Sequence, residues 1–170
     1  MPDNGSMTKH RLYWLTIGIA VLVVLVDQGT KWWAETALVD GKVIPVIGDL
    51  LRFQLAYNPG AAFSIGTGFT WVFTIIAGVI VVALGYYAWR IRSLPWAIVA
   101  GFVLGGAMTH FGDRMFRAPS LGNGHVVDFI GYGSLFIGNV ADIAIVLGAL
   151  AGVILMVRGI PFRPKVDEAA

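Results

Sequence analysis

Four apolar runs, each close to the length that crosses a bilayer, constrain this chain more than any other feature. They cover residues 12–33, 69–89, 94–112 and 135–157. A helix rises about 1.5 Å per residue and needs about 20 apolar residues to cross the hydrocarbon core, where it must satisfy its own backbone groups. Only 13% of the residues are charged and 57% are hydrophobic, whereas a soluble domain carries about 25% charged residues. The expected fold is a mostly α membrane protein, a single integral domain over 1–170 with four transmembrane helices. No repeat or low-complexity segment marks a second domain. The net charge of +2 is small, and no nucleic-acid partner is expected.

Lys9, His10 and Arg11 precede the first run, as in a secretory leader. No small-x-small cleavage pattern follows it; the run ends in Asp27-Gln28-Gly29-Thr30-Lys31. It reads as an uncleaved first span, with Trp32 and Trp33 as interfacial anchors and a disordered tail at residues 1–7. Between spans one and two the pattern changes. Residues 43–49 combine turn and β-branched residues, and 51–58 alternate apolar and polar for much of their length. They predict a small extracytoplasmic sheet, a cradle on the membrane surface. Asn58-Pro59-Gly60-Ala61-Ala62-Phe63-Ser64 follows as a turn. Residues 117–134 read as a Gly-rich polar connector that contains Asp128.

Basic residues set the orientation. Lys9, Arg11, Arg90, Arg92, Arg158, Arg163 and Lys165 fall on one side, and Lys31, Lys42, Arg52, Arg114 and Arg117 on the other. Pairing of Lys31 and Arg114 with acids would enlarge the bias, so both termini are expected to be cytoplasmic. Asp27, Lys31, Asn58, His110, Asp113, Arg114, Asp128, Asn139 and Asp142 then all lie near the outer face.

Several of these residues have plain structural readings. Asp27 and Lys31 are spaced i, i+4 and suit a helical ion pair. Asp113 and Arg114 suit the capping and anchoring of a helix end, and Arg114 could instead orient a carboxylate or a peptide carbonyl. His125 reads as a solvated loop residue. Asp142, inside an apolar helix, is costly as an unpaired charge and calls for a reason. With Asp128 beside it, the two carboxyls could share a proton, one activating water and the other protonating an amide. Asn58 and Asn139 are suitable donors to such a pair. The absence of cysteine excludes disulfides, a thiol nucleophile and thiolate metal ligands. His10, His110 and His125 have no metal-binding spacing, so neither a metal nor a cofactor is expected.

Asp27-Gln28-Gly29-Thr30-Lys31, 58–64, Gly105-Gly106-Ala107, Asp113-Arg114, Gly124-His125-Val126-Val127-Asp128-Phe129 and Asn139-Val140-Ala141-Asp142 occur in that order. Together they resemble the signal peptidase II family, the membrane aspartic peptidases that process prolipoproteins. The resemblance runs from Leu12 to Val157. It implies a catalytic pair, Asp128 and Asp142, supported by Asp27, Lys31, Asn58, Asp113, Arg114 and Asn139. It also implies hydrolysis of the amide bond before a diacylglyceryl-modified cysteine at the outer face of the cytoplasmic membrane, without metal or nucleotide. The implied partners are the prolipoprotein substrate and membrane lipid, and a monomer is expected.

Two positions depart from the family pattern. Thr109-His110 replaces Gly-Asn, and Gly138 stands before Asn139 where the family has Phe. An imidazole still hydrogen-bonds, but it titrates and is larger. These changes bear on substrate fit and pH dependence more than on reaction type. The competing readings are a proton-coupled transporter using Asp142, a Ser64–Lys31 dyad, and a scaffold without catalysis.

Overall fold

The computed structural model describes residues 9–60 and 69–163. The expected tail at 1–7, the 61–64 part of the turn with Ser64, and Lys165 lie outside the described residues. Among those described, four helices are long and apolar enough to cross a membrane: α1 (Lys9–Ala37), α2 (Thr70–Ala88), α3 (Leu94–Phe116) and α4 (Val140–Val157). At 29 residues, α1 is about 43 Å long and outruns a hydrocarbon core of about 30 Å. Its last turns therefore extend beyond the apolar layer.

α1 runs past both expected ends, 12 and 33, and two further differences bear on the site. α3 continues to Phe116, so His110, Asp113 and Arg114 stand on its last turns. α4 starts at Val140, because Asn139 caps it and 136–138 form a strand. Asp142 therefore sits in the first turn of α4, not a turn or two deeper. A short apolar segment such as Leu135-Phe136-Ile137 suits either helix or strand, and periodicity alone cannot separate them.

α3 is the central helix and packs on α1, α2 and α4. Small residues make this possible, since bulky ones would hold the backbones apart. A Cβ on Gly105 would lie 2.7 Å from the Val23 Cβ and 2.8 Å from the Ala20 carbonyl of α1. One on Gly106 would lie 2.9 Å from the Ala141 carbonyl of α4. Thr16 Oγ1 donates to the Ala97 carbonyl at 3.0 Å and adds a polar tie between α1 and α3. Leu22 and Leu25 on α1, Val79 and Val82 on α2, and Leu147 and Leu150 on α4 face outward. An apolar exterior of this kind matches a lipid solvent.

The sheet has four antiparallel strands in the order β1 (Val43–Ile47), β2 (Leu51–Asn58), β3 (Val126–Tyr132), β4 (Phe136–Gly138). The segment between α1 and α2 thus supplies only half of it. β3, expected as part of a polar connector, is a strand buried over nearly its whole length. Its flanking glycines mask it in the sequence, and its partner β2 lies far away in the chain. Pairing sets Ala56 opposite Asp128 and Asn58 opposite Val126. Phe129 and Ile130 of β3 pack on Ala34 and Leu38 at the end of α1, with Phe53, Leu55 and Val140 around them. Trp33, expected as an interfacial anchor, also meets Phe53 edge-on at 5.3 Å between ring centroids.

At the opposite end of the bundle, Leu12, Ile91 and Ala97 are buried together with Phe162 beside them. Arg163 donates to the Arg90 carbonyl there, at 3.1 Å. The two ends therefore differ in chemistry: one carries the sheet and the convergent acids, the other the basic links.

Gly105→Val should lower the thermal unfolding midpoint in detergent, through a loss of about 2 kcal/mol or more from overpacking. Gly18→Val, where an added Cβ meets nothing within 4 Å, should stay within about 0.5 kcal/mol of the native protein.

Candidate active site

Nearest the helices lies a buried ionic cluster. Lys31 Nζ is 2.6 Å from Asp27 Oδ2 and 2.7 Å from Asp113 Oδ2, and exposure of the three side chains is 1% or less. A buried ion pair is tolerable only when its remaining hydrogen-bonding capacity is filled. Here it is filled from several elements. Asp27 Oδ1 accepts the Ala141 N–H of α4 at 2.9 Å. Asp113 accepts from Gln28 Nε2 at 2.9 Å and from Arg117 Nε at 2.8 Å, and more weakly from the Val127 N–H of β3 at 3.4 Å. Arg117 in turn pairs with Glu35 at 2.7 Å. The i, i+4 pair Asp27–Lys31 is real, and it is one edge of a network joining α1, α3, α4 and β3.

The second cluster is built on Asn139. Its side-chain Oδ1 accepts the Asp142 N–H at 3.1 Å, while Asp142 Oδ2 accepts the Asn139 N–H at 2.8 Å, a reciprocal capping box. The Nδ2 of Asn139 remains for Asp128, whose Oδ1 accepts it at 2.6 Å. Asp128 Oδ2 accepts Asn58 Nδ2 at 3.1 Å, and Asn58 Oδ1 accepts the Gly60 N–H at 3.0 Å. One fully buried amide thus caps α4 and grips both acids, so Asp128 on β3 and Asp142 on α4 face the same space.

The two carboxyls have unlike surroundings. Asp128 is 4% exposed; burial first, and the neighbouring Asp142 charge second, push it up to about 6. The amides of Asn58 and Asn139 oppose that rise. Asp142 is partly open, its side chain 42% exposed, and its Oδ1 lies 3.1 Å from His110 Nε2. Arg114 does not ion-pair with either acid. Its guanidinium donates to the Pro59 and Gly60 carbonyls and lies 5.5 Å from the Phe73 ring centroid. Of its two open readings, the peptide-carbonyl role is the one present.

These groups surround a cavity of about 400 Å³. Asn58, His110, Arg114, Asp128 and Asp142 line its polar end, and Phe73, Ile76, Ile80 and Val146 belong to its apolar wall. A segment with an apolar flank and a reactive amide suits such a space. The residues predicted to gather at one face therefore divide into two layers. Asn58, His110, Arg114, Asp128 and Asp142 line the cavity, Asn139 sits behind the two acids, and Asp27, Lys31 and Asp113 form the buried brace.

Sequence reasoning did not assign Arg117, Glu35 or Gln28 to the brace. The i, i+4 spacings of Asp113 with Arg117 and Lys31 with Glu35 were the available signals. Phe73 and Phe136 carried no local signal at all. His125 is half-buried on the rim of β3, and its N–H donates to the Ala118 carbonyl at 2.9 Å.

Comparison with known proteins gives a consistent result. A family model described as Signal peptidase (SPase) II matches residues 19–158. A lipoprotein signal peptidase of Mycobacterium leprae is 42% identical over 160 residues, covering 94% of this chain and 80% of that protein. One from Streptomyces griseus is 44% identical over 157 residues, covering 92% of this chain and 80% of that protein. A solved bacterial membrane enzyme superposes with a TM-score of 0.75 at 31% identity, covering 91% of this chain and 94% of its own. With the family model spanning most of the chain and relatives this similar over most of their own length, the protein belongs to the signal peptidase II family.

Proposed function

We propose that this protein is a membrane aspartic endopeptidase that removes the signal peptide of prolipoproteins, with Asp128 and Asp142 as its catalytic pair. The reaction is hydrolysis of the amide bond before a diacylglyceryl-modified cysteine. The observation that carries the proposal is Asn139, which holds two carboxyls of unlike environment on one cavity. Asp128, buried and pushed up to about 6, is the acid. Asp142, whose oxygens face the Asn139 N–H and His110, is the base.

Asp142 takes a proton from water as the oxygen attacks the carbonyl carbon. Asp128 protonates the carbonyl oxygen; as the tetrahedral intermediate collapses, Asp142 passes the proton it took from water to the departing amide nitrogen while the C–N bond breaks, and a hydroxyl proton of the intermediate returns to Asp128. Substrate filling the apolar wall excludes water and favours the protonated Asp128 further. Arg114 and Asn58 hold the chain that borders the cavity, and the Asp27–Lys31–Asp113 brace fixes β3 against α4. Nothing in this scheme requires a metal.

The proposal extends to organisation and location. The chain forms one membrane-embedded unit and acts as a monomer in the bacterial cytoplasmic membrane. Both termini are cytoplasmic and the cavity opens near the outer face, because the basic residues Lys9, Arg11, Arg90, Arg92, Arg158 and Arg163 gather at the end away from the sheet. The competing readings fit less well. A transporter places its key carboxylate near the midplane between broken helices, whereas these acids stand at helix ends beside a sheet. Lys31, held by two carboxylates, is a poor base for Ser64.

Asp128→Asn and Asp142→Asn should each keep the fold and lower turnover by about 10⁴-fold or more, as loss of a general acid or base can. The assay is cleavage of a diacylglyceryl-modified prolipoprotein peptide beside its unlipidated twin. Cleavage restricted to the lipidated peptide and to the native protein supports the proposal, and near-normal turnover by Asp142→Asn overturns it.

The raised Asp128 also makes stability depend on pH. The folded state holds that proton more tightly than the unfolded chain, so its stabilising effect is full below pH about 4 and lost as pH rises to about 6. The unfolding free energy of Asp128→Asn minus that of the native protein should therefore grow more positive from pH 4 to 7, by about 2 kcal/mol, since any mismatch of the new amide is the same at both pH values and cancels. A flat difference across that range would show that Asp128 is not raised.

A further inference from the structure

The two departures from the family pattern, His110 and Gly138, lie far apart in the chain but meet at one carboxylate. His110 Nε2 stands 3.1 Å from Asp142 Oδ1. Asp142 Oδ2, turned back to the Asn139 N–H at 2.8 Å, lies 2.9 Å from where a Cβ on Gly138 would be. A real Cβ essentially never approaches that closely, so a side chain at 138 would push the carboxylate off this position. The Phe136 ring is also near, 3.6 Å from the same point. An aromatic from two residues earlier therefore borders the space that a Phe at 138 would enter. Gly138 is in extended backbone at the end of β4, with no positive φ, so glycine is needed there for space rather than for backbone freedom.

We propose that His110 is a positioning residue for Asp142, matched to the missing side chain at Gly138: the imidazole holds Oδ1 while the carboxylate occupies the room that glycine leaves. The proposal rests on the reading of Asp142 as catalytic. It makes His110 and Gly138 one unit, each tolerable because of the other. The charged and titratable groups around His110 are Asp142 on α4, Asp128 on β3 and Arg114 on its own helix, while α2 contributes Phe73, Ile76, Ala77 and Ile80 to the shared cavity and no ionisable group. Lys31 on α1 acts on Asp142 through its charge. An imidazolium would pair with Asp142 more strongly than a neutral ring and blunt its action as a base.

The test is a double-mutant cycle on lipidated-peptide cleavage with His110→Asn, Gly138→Ala and both, then the same cycle with His110→Gln, beside Asp142→Asn. In the native background Gly138→Ala should lower kcat about 10- to 100-fold with little change in KM, as a displaced catalytic group does. Combined with His110→Asn, which frees the carboxylate to move, the loss should shrink to about threefold, a strong coupling. His110→Gln, whose longer amide can still donate to Oδ1, should keep more of the coupling to Gly138→Ala than His110→Asn does, with the loss again in kcat and not in KM. A structural role alone would not separate the two His110 variants.

Additive single effects, with His110→Gln no different from His110→Asn, would overturn the proposal. Should Gly138→Ala fail to fold, the kcat and KM of His110→Asn and His110→Gln beside the native protein decide alone: a kcat loss in Asn recovered by Gln at unchanged KM supports it, and equal values in the two overturn it. Asp142→Asn separates the two readings. Inactivity of Asp142→Asn with no His110–Gly138 coupling refutes only this inference, whereas activity refutes the catalytic assignment beneath it.

Discussion

Lys31 is a buried ammonium between two buried carboxylates, and the arrangement of the site depends on that interaction. A cation with no exposure is unstable unless every donor finds an acceptor and the extra negative charge finds a partner. Asp27 and Asp113 serve Lys31, and Arg117 balances the surplus acid while reaching Glu35. The Lys31–Asp113 and Arg117–Glu35 bonds join distant segments of the chain. The free oxygen of Asp27 takes the first-turn N–H of Ala141, and Asp113 reaches the backbone of Val127. One charge cluster therefore sets α4 and β3, the two elements that carry the proposed catalytic acids, against α1 and α3.

In front of this brace the chemistry is softer. Asn139 spends its carbonyl oxygen on the helix cap and its amide nitrogen on Asp128. A helix-stabilising motif thereby becomes the hinge of a carboxyl pair. The difference between the two acids needs no unusual group: one is enclosed by a strand and two amides, and the other stands half-open at a helix N-terminus. Desolvation disfavours the charged form of the first, and the charge of the second adds to that effect. Small residues on α3 belong to the same design, since Gly105 and Gly106 let α1 and α4 approach closely enough for Asp27 to reach Ala141.

The two sides of the Asp142 carboxylate have different surroundings. The His110 imidazole faces one oxygen, and the position beside the other, Gly138, carries no side chain. The two residues are distant in the chain and complementary only at the carboxylate.

Much of this was legible in the sequence. Four spans follow from apolar length, because a bilayer admits only internally bonded segments of about 30 Å. The Asp27–Lys31 pair follows from its i, i+4 spacing, and the ordered motifs are enough to indicate the family. Other features required the folded chain. β3 looks like a polar connector until β2, distant in sequence, supplies its hydrogen-bond partners, since a strand has no internal bonds with which to declare itself. For the same reason the start of α4 was misplaced by five residues, at 135 for 140. Arg114 kept two readings until Pro59 and Gly60 came within its reach. The sequence by itself determined which groups are available and that a membrane confines them to one end. Only the tertiary structure decided which carboxylate meets which donor, because those contacts join segments that nothing in local periodicity connects.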